Sequence, residues 1–295
     1  MDLSYYPGCT LKTRARNFEE SALAAMTLLG VNLVELPRWN CCGTVYSLAD
    51  DDLIHHVAPV RNLIRVREQG DNRLVTLCSF CYNTLKRADL LLKNHPENLD
   101  TLNSFMDEEI DYDGQVEVVH LLQVLRDDVG WETIKTKVTR PLEGLKVAAY
   151  YGCTLTRPAD AAIDSVERPV VLQNLLKALG ATVIDFPLAT DCCGAYEIVN
   201  NADSITERAH TILGMAARLG AEAIVVSCPL CSHNLGQGQA AFMTRYGDST
   251  SLPIIYFTQL LALSLGISPE LCGFKENPGD AEGLLREKGL IAGEA

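Results

Sequence analysis

Three cysteine-bearing blocks occur twice in this chain, in the same order, and this constrains the fold more than any other feature. Tyr5-Tyr6-Pro7-Gly8-Cys9-Thr10-Leu11 recurs as Tyr150-Tyr151-Gly152-Cys153-Thr154-Leu155. Cys41-Cys42-Gly43 recurs as Cys192-Cys193-Gly194, and Leu77-Cys78-Ser79-Phe80-Cys81 recurs as Ser227-Cys228-Pro229-Leu230-Cys231. The offsets are 144, 151 and 150 residues, so the second copy carries an insertion between its first and second blocks. Self-similarity on this scale marks a duplicated folding unit. With 295 residues there is room for two ordinary domains. The expected division is a first lobe over 1–140, a second over 141–271, and a C-terminal tail over 272–295.

The stretches between blocks repeat as well. Asn17 to Gly30 reads as a helix, with Asn17 as a cap, Glu20 three residues later as in a capping box, and Gly30 as its stop. Val31 to Leu36 follows as a strand. In the second half, Val170 to Leu179 reads as the matching helix and Ala181 to Phe186 as the matching strand. Leu53 to Glu68, with Pro59 as an expected kink, pairs with Ile205 to Leu219. The β-branched runs Arg73 to Cys78 and Ala221 to Cys228 deliver the two Cys-x-x-Cys pairs. Val116 to Leu125 and Ile254 to Leu263 each read as a short strand running into a helix. Alternating strands and helices predict an α/β fold: two similar lobes with mainly parallel sheets, helices on both faces, related by internal duplication. Ligand sites in such sheets gather beyond the carboxyl ends of strands, where these cysteines fall. The acidic, polar residues from about Asn94 to Gln115 read as an insertion, residues 130–145 as a linker, and the chain after Gly273 as a loosely ordered surface tail.

Composition excludes several classes. Apolar residues at 47% supply a core. Lys and Arg number 25 against 38 Asp and Glu, a net charge of -13, which repels a phosphate backbone and argues against nucleic acid. The first residues lack the basic start and apolar run of a signal peptide, and no apolar run is long enough for a membrane span. The expected location is cytoplasmic. In a reducing compartment the eleven cysteines read as metal ligands or redox groups rather than disulfides.

Five cysteines per half leave several readings open. Zinc takes four ligands in a tetrahedron and leaves Cys9 idle, yet the idle position reappears as Cys153; zinc in one half remains an alternative. A cubane [4Fe–4S] cluster also uses four thiolates. Five point to an unusual cluster, or to a cubane with a spare reactive thiol. A thioredoxin-like dithiol leaves three cysteines per half unexplained. Cys272 lies outside the blocks and reads as a passive thiol.

The pattern of a Gly-Cys, then Cys-Cys-Gly, then Cys-x-x-Cys about 35 residues later resembles the cysteine-rich CCG domain. Two copies in one chain resemble the B-type subunit of heterodisulfide reductase, from Tyr5 to about Ile267. The resemblance implies two non-cubane [4Fe–4S] clusters. Cys9, Cys41, Cys42, Cys78 and Cys81 would hold the first, and Cys153, Cys192, Cys193, Cys228 and Cys231 the second, with Cys81 and Cys231 as the catalytic candidates. It implies reduction of the disulfide of two small thiols, coenzyme M and coenzyme B in methanogens, by two one-electron transfers. It also implies the ferredoxin-like C-type subunit of heterodisulfide reductase as donor and the flavin-containing A-type subunit behind it. An alternative is an electron-relay subunit without substrate chemistry of its own. The stretch Gly43-Thr44-Val45-Tyr46-Ser47 departs from the Pro-containing methanogen form and looks closer to bacterial homologues, which leaves the disulfide open.

No dinucleotide fingerprint or further cubane motif is present, so no flavin or dinucleotide is expected in this chain. Lys12, Arg14 and Arg157 follow the first block of each half and are candidates for pairing with an anionic substrate. His55, His56 and His233 are candidate proton donors. Tyr5, Tyr6, Tyr150 and Tyr151 read as packing at strand ends.

Overall fold

The computed structural model of the chain describes residues 1–44, 52–195, 197–247 and 251–292. Two four-stranded parallel sheets form the frame. The first contains β1 (Asp2–Tyr6), β2 (Asn32–Glu35), β3 (Arg73–Thr76) and β4 (Glu117–His120), in the spatial order β2-β1-β3-β4. The second contains β5 (Lys146–Tyr150), β6 (Thr182–Ile184), β7 (Ala223–Val226) and β8 (Ile254–Tyr256), in the order β6-β5-β7-β8. The two orders correspond strand for strand, as the duplicated blocks require. All three residues after Arg73 in β3, and all of β7, are buried, as in a sheet covered on both faces.

Each chain half runs outward from its first strand to its second, then crosses back to its third. That reversal leaves a crevice at the carboxyl ends of β1 and β3, and of β5 and β7. The longer helices are α1 (Arg16–Leu28), α2 (Val57–Glu68), α3 (Ser79–Asn94), α4 (Pro96–Phe105), α5 (Trp131–Lys137), α6 (Val171–Ala178), α7 (Ala202–Arg218), α8 (Pro229–Tyr246), α9 (Phe257–Ser264) and α10 (Ala281–Glu287). Among the described residues no helix is long and apolar enough to cross a membrane.

Several local expectations differ from what forms. Asn17 lies inside α1 rather than capping it, because its amide crosses to Gly273 O and Asn277 Oδ1, both at 3.3 Å. Pro59 does not kink a helix. A 3₁₀ turn over Leu53–His56 ends before α2, and Pro59 then falls in the first turn of α2, where no intrahelical N–H is missed. Residues 94–115 contain α4, and 130–145 contain α5. Residues 274–292 are packed rather than loose: Phe274 and Leu285 are buried, Ile254 N donates to Pro278 O at 2.9 Å, and the Asn277 amide donates to Ile254 O at 2.7 Å.

The two sheets share a continuous core. On one side Phe18 of α1 stacks on Tyr256 at the end of β8, with centroids 4.4 Å apart and planes 5° off parallel. Ser21 Oγ meets Thr258 Oγ1 at 2.7 Å beneath it. On the other side Tyr82 of α3 donates to Ala161 O at 2.9 Å, and Asn83 Nδ2 donates to Thr154 O at 2.9 Å and Arg157 O at 2.8 Å.

Candidate metal centre

The cysteines of each half arrive at the crevice by equivalent routes. Cys9 and Cys153 follow β1 and β5, and the Cys-Cys pairs follow β2 and β6. Cys78 and Cys228 are the N-cap residues of α3 and α8. A thiolate there faces free backbone N–H groups and the positive end of the helix dipole. For Cys78 the amides of Cys81 and Phe80 supply those bonds.

The turn that releases each first cysteine must be glycine. Gly8 has φ +75°, and a Cβ there would stand 2.9 Å from Cys81 Sγ. Gly152 has φ +65°, and its Cβ would stand 3.0 Å from Cys231 Sγ. Both the left-handed backbone and the close approach of a sulfur exclude a side chain.

The tyrosines of the first block fix the second block. Tyr6 OH donates to Asn40 O at 2.9 Å and Tyr150 OH to Asp191 O at 2.7 Å, one residue before each Cys-Cys pair. Burial, with the nearby thiols, holds both phenols far above their ordinary range, so they stay protonated as donors. A further clamp comes from the helix behind. Asn62 Oδ1 accepts from Asn40 N at 3.0 Å in the first half, and Arg208 Nε donates to Cys192 O at 2.7 Å in the second. Neither Asn62 nor Arg208 belongs to a repeated block, so the sequence pattern offered no signal for them.

The thiols form two chains of groups that act on one another electrostatically. Cys42 Sγ lies 3.6 Å from Cys81 Sγ, with Cys41 acting on Cys42 and Cys78 on Cys81. In the second half Cys153 meets Cys192, then Cys193, Cys231 and Cys228. Ser79 and Ser227, next to Cys78 and Cys228, bring the two chains together across the interface. Cys9 is exposed, with its Sγ 3.8 Å from Thr10 Oγ1. Contact with a neighbouring thiol lowers Cys42, Cys78 and Cys192 and raises Cys41, Cys81 and Cys153, with burial raising the latter further. Asn234, on α8 one residue past His233, donates Nδ2 to Cys193 Sγ at 3.6 Å, and its buried Oδ1 has no hydrogen-bond partner. The matched Thr84 instead donates to Thr44 Oγ1.

An all-sulfur donor set, glycines that clear room beside it, helix N-termini facing it and an N–H aimed at one sulfur fit an iron–sulfur group. Among the described residues no three of His, Cys, Asp or Glu stand around one point as the ligands of a single ion would. Cys272 is apart from both chains, fully buried, and pushed up to about 12 by that burial.

The other candidates scatter. Lys12 is paired with Glu19 and Glu35, each at 2.7 Å. Arg157 donates to Thr190 O at 2.7 Å and so braces the second Cys-Cys loop. Arg14 and His233 both line one cleft at the lobe interface. His56 lies in a groove with Arg87 and Asp160, and His55 neighbours it in the 3₁₀ turn. Val45, Tyr46 and Ser47 of the departing stretch lie outside the described residues.

The model of the cysteine-rich domain family matches residues 3–86 and again 147–236. The 8-methylmenaquinol:fumarate reductase membrane anchor subunit of Wolinella succinogenes is 34% identical over 96% of this chain and 99% of its own length. The B-type subunit of the ferredoxin/F420H2-dependent CoB-CoM heterodisulfide reductase of Methanosarcina acetivorans is 32% identical over 93% of each chain. The B-type subunit of the ferredoxin:CoB-CoM heterodisulfide reductase of Methanosarcina mazei is 31% identical over 93% of each. A crystal structure of a hypothetical protein from Helicobacter pylori superposes with a TM-score of 0.76 at 15% identity, over 95% of this chain and about half (52%) of that one, a likeness of fold.

Proposed function

The chain belongs to the cysteine-rich domain family, as a tandem member related to the B-type subunits of heterodisulfide reductases, and from that premise we propose that it is the disulfide-reducing iron–sulfur subunit of a larger complex. Cys9, Cys41, Cys42, Cys78 and Cys81 would hold one [4Fe–4S] cluster, and Cys153, Cys192, Cys193, Cys228 and Cys231 a second, both non-cubane. When bound, each cluster supplies one electron at a time at a sulfur-rich surface, which suits a two-electron bond cleavage shared between two centres. The overall change is RS–SR′ + 2e⁻ + 2H⁺ → RSH + R′SH, with electrons from a one-electron iron–sulfur partner protein.

The observation that carries this reading is the Ser79–Ser227 hydrogen bond, Oγ to Oγ at 2.8 Å, which sets the residue after Cys78 against the residue before Cys228 and so brings the two Cys-x-x-Cys motifs to one interface. The chain's own residues then have defined tasks. Tyr6 and Tyr150 hold the Cys-Cys loops, and their phenols, kept protonated by burial, are fixtures rather than proton sources. The N-terminus of α3 stabilises negative charge at Cys78, whereas burial raises the Cys228 thiol at the start of α8. Gly8 and Gly152 leave the room beside Cys81 and Cys231.

A second reading has support from the Wolinella relative, whose name describes the anchor of a quinol-oxidising, fumarate-reducing enzyme. In that reading the two centres only relay electrons between partner proteins. One experiment separates them. The chain is purified without oxygen, assayed for iron, sulfide and zinc, reduced, and exposed to small disulfides. About eight irons per chain, no zinc, and re-oxidation by a disulfide with release of two thiols per two electrons is the expected result. Re-oxidation by partner proteins but by no disulfide favours the relay, and zinc in either half overturns both.

A further inference from the structure

The two sides of the lobe interface are built from matched residues but differ in outcome. A cleft of about 600 Å³ opens on one side, lined among others by Thr10, Arg14, Ser232, His233, Gln237 and Tyr256. Under the duplication, Thr10 corresponds to Thr154 and Arg14 to Pro158. Ser232 corresponds to Tyr82, His233 to Asn83, Gln237 to Arg87 and Tyr256 to His120. On the opposite side two of these counterparts, Tyr82 and Asn83, are bonded across the interface, and the groove that remains there is lined by His56, Arg87, Asp160 and the far part of α3 rather than by the cysteine blocks. Tyr82 OH reaches Ala161 O at 2.9 Å, and Asn83 Nδ2 takes Thr154 O at 2.9 Å and Arg157 O at 2.8 Å. Arg126 Nη1 adds a bond to Ile163 O at 3.1 Å.

Two sequence differences produce this. The offset between copies rises from 144 to 151, so the second half has seven extra residues in the stretch that contains Ala161 and Ile163. Tyr82 is also long enough to reach that stretch, whereas Ser232 ends short. The inserted segment therefore closes one side, and a duplicated molecule becomes one-sided.

The open cleft adjoins both cysteine sets. Thr10 follows Cys9, and Pro229 and Leu230, also in its wall, lie between Cys228 and Cys231. Arg14 and Glu276 are its formal charges. Glu276 sits at the rim, where it also lines two neighbouring grooves. Arg14 sits one turn from Cys9, with its amide bonded to Thr10 O at 2.9 Å. Lys12 and Arg157 are engaged elsewhere, which leaves Arg14 as the cation of the first block that faces a cavity.

We infer that this cleft is the ligand entrance of the molecule, that it takes a small thiol or disulfide with its anionic end on Arg14 and its polar body against His233, and that the mirrored side gives no access to the cysteines. The inference rests on the disulfide-reducing reading and adds to it that the two centres are reached from one side only.

The test is titration calorimetry on the full chain as isolated without oxygen, with thioglycolate as the anionic probe and 2-mercaptoethanol as the neutral one. Arg14→Gln is expected to weaken thioglycolate binding about tenfold, the worth of a charge-assisted hydrogen bond, and to leave 2-mercaptoethanol unchanged. Ser232→Tyr, which installs the mirrored side chain, is expected to abolish binding of both. Gln237→Trp fills the cleft from an exposed helix position and serves if the buried tyrosine is not accommodated. Arg87→Gln, on the closed side, is expected to change nothing. The inference is overturned if the unsubstituted chain shows no saturable thioglycolate binding. It is also overturned if Arg14→Gln and Gln237→Trp both bind as the parent does, or if Arg87→Gln weakens binding as much as Arg14→Gln. Iron and sulfide content measured on the same samples keeps the two conclusions separate. Loss of binding specificity with full iron counts against the cleft alone, and absence of iron counts against the cluster reading.

Discussion

Ser79 Oγ lies 2.8 Å from Ser227 Oγ, so the residue after Cys78 and the residue before Cys228 are tied directly across the interface between the two halves. Ser79 Oγ also lies 3.1 Å from Ser227 O, and both residues are buried. This small polar link fixes the spacing of the two Cys-x-x-Cys motifs, one from each sheet.

Cutting that link should destabilise the molecule. Ser79→Ala or Ser227→Ala leaves a buried hydroxyl or carbonyl without its partner and should cost about 1–2 kcal/mol of stability each. The double variant removes both hydroxyls together, so its cost should fall short of the sum. Denaturant unfolding of the four proteins without oxygen measures the cycle; strict additivity would show that the two hydroxyls are not coupled.

Gly8→Ala should strike the first centre and spare the second. The added methyl meets Cys81 Sγ at 2.9 Å on a backbone with φ +75°, a conformation alanine resists. Iron bound per chain should fall from about eight to about four. Gly152→Ala should produce the same loss from the other half, and the spectra of the two variants should sum to that of the parent. Full occupancy in both variants would refute the arrangement.

The halves should also differ in electron affinity. Asn234 donates an N–H to Cys193 Sγ, and its counterpart Thr84 makes no such bond to a cysteine. An N–H···S bond favours the more negative, reduced state. Asn234→Leu should therefore lower the midpoint potential of one of two centres, while Thr84→Ala leaves both where they were. A spectroscopically monitored redox titration reads this directly.

His120 offers a pH test. It is fully buried and held down to about 4, chiefly by desolvation of its charged form. Its Nδ1 accepts from Leu122 N at 3.2 Å and its Nε2–H donates to Leu77 O at 2.7 Å, an arrangement that requires the neutral ring. A depressed histidine pKa means that the unfolded chain binds the proton more readily. The stability this contributes is complete above the ordinary value of about 6.5 and is lost as pH falls toward 4. Between about pH 7 and about pH 5 the loss amounts to roughly 2 kcal/mol. His120→Asn keeps a capping side chain without the titration. The gap between parent and variant should narrow by that amount over the same interval in unfolding experiments.

Much of the architecture is written in local pattern. The paired Gly-Cys, Cys-Cys-Gly and Cys-x-x-Cys blocks locate the carboxyl ends of β1, β2 and β3 and of their counterparts, and parallel pairing follows from strands alternating with helices. Contacts between distant segments are what the pattern leaves out. Asn17 has the sequence context of a helix cap, yet its partners are Gly273 and Asn277, more than 250 residues away. Arg157 has the context of a substrate cation, and the loop at Thr190 takes it instead. The tail has the composition of a loose surface segment, but Phe274 and Leu285 find apolar cover that only the assembled sheets supply. Arg14, Lys12 and Arg157 are alike in the one-dimensional record and separate only once their neighbours are placed.

The packing of Asn277 also has a consequence in time. Its amide joins Asn17, Gln259 and Ile254 into a single latch near the far end of the chain. A ribosome working at about 5–20 residues per second delivers that latch roughly 10–40 s after Cys81 has emerged. Throughout that interval the earlier cysteines wait beside an unfinished wall. The first half can thus begin to fold before its latch to the second exists.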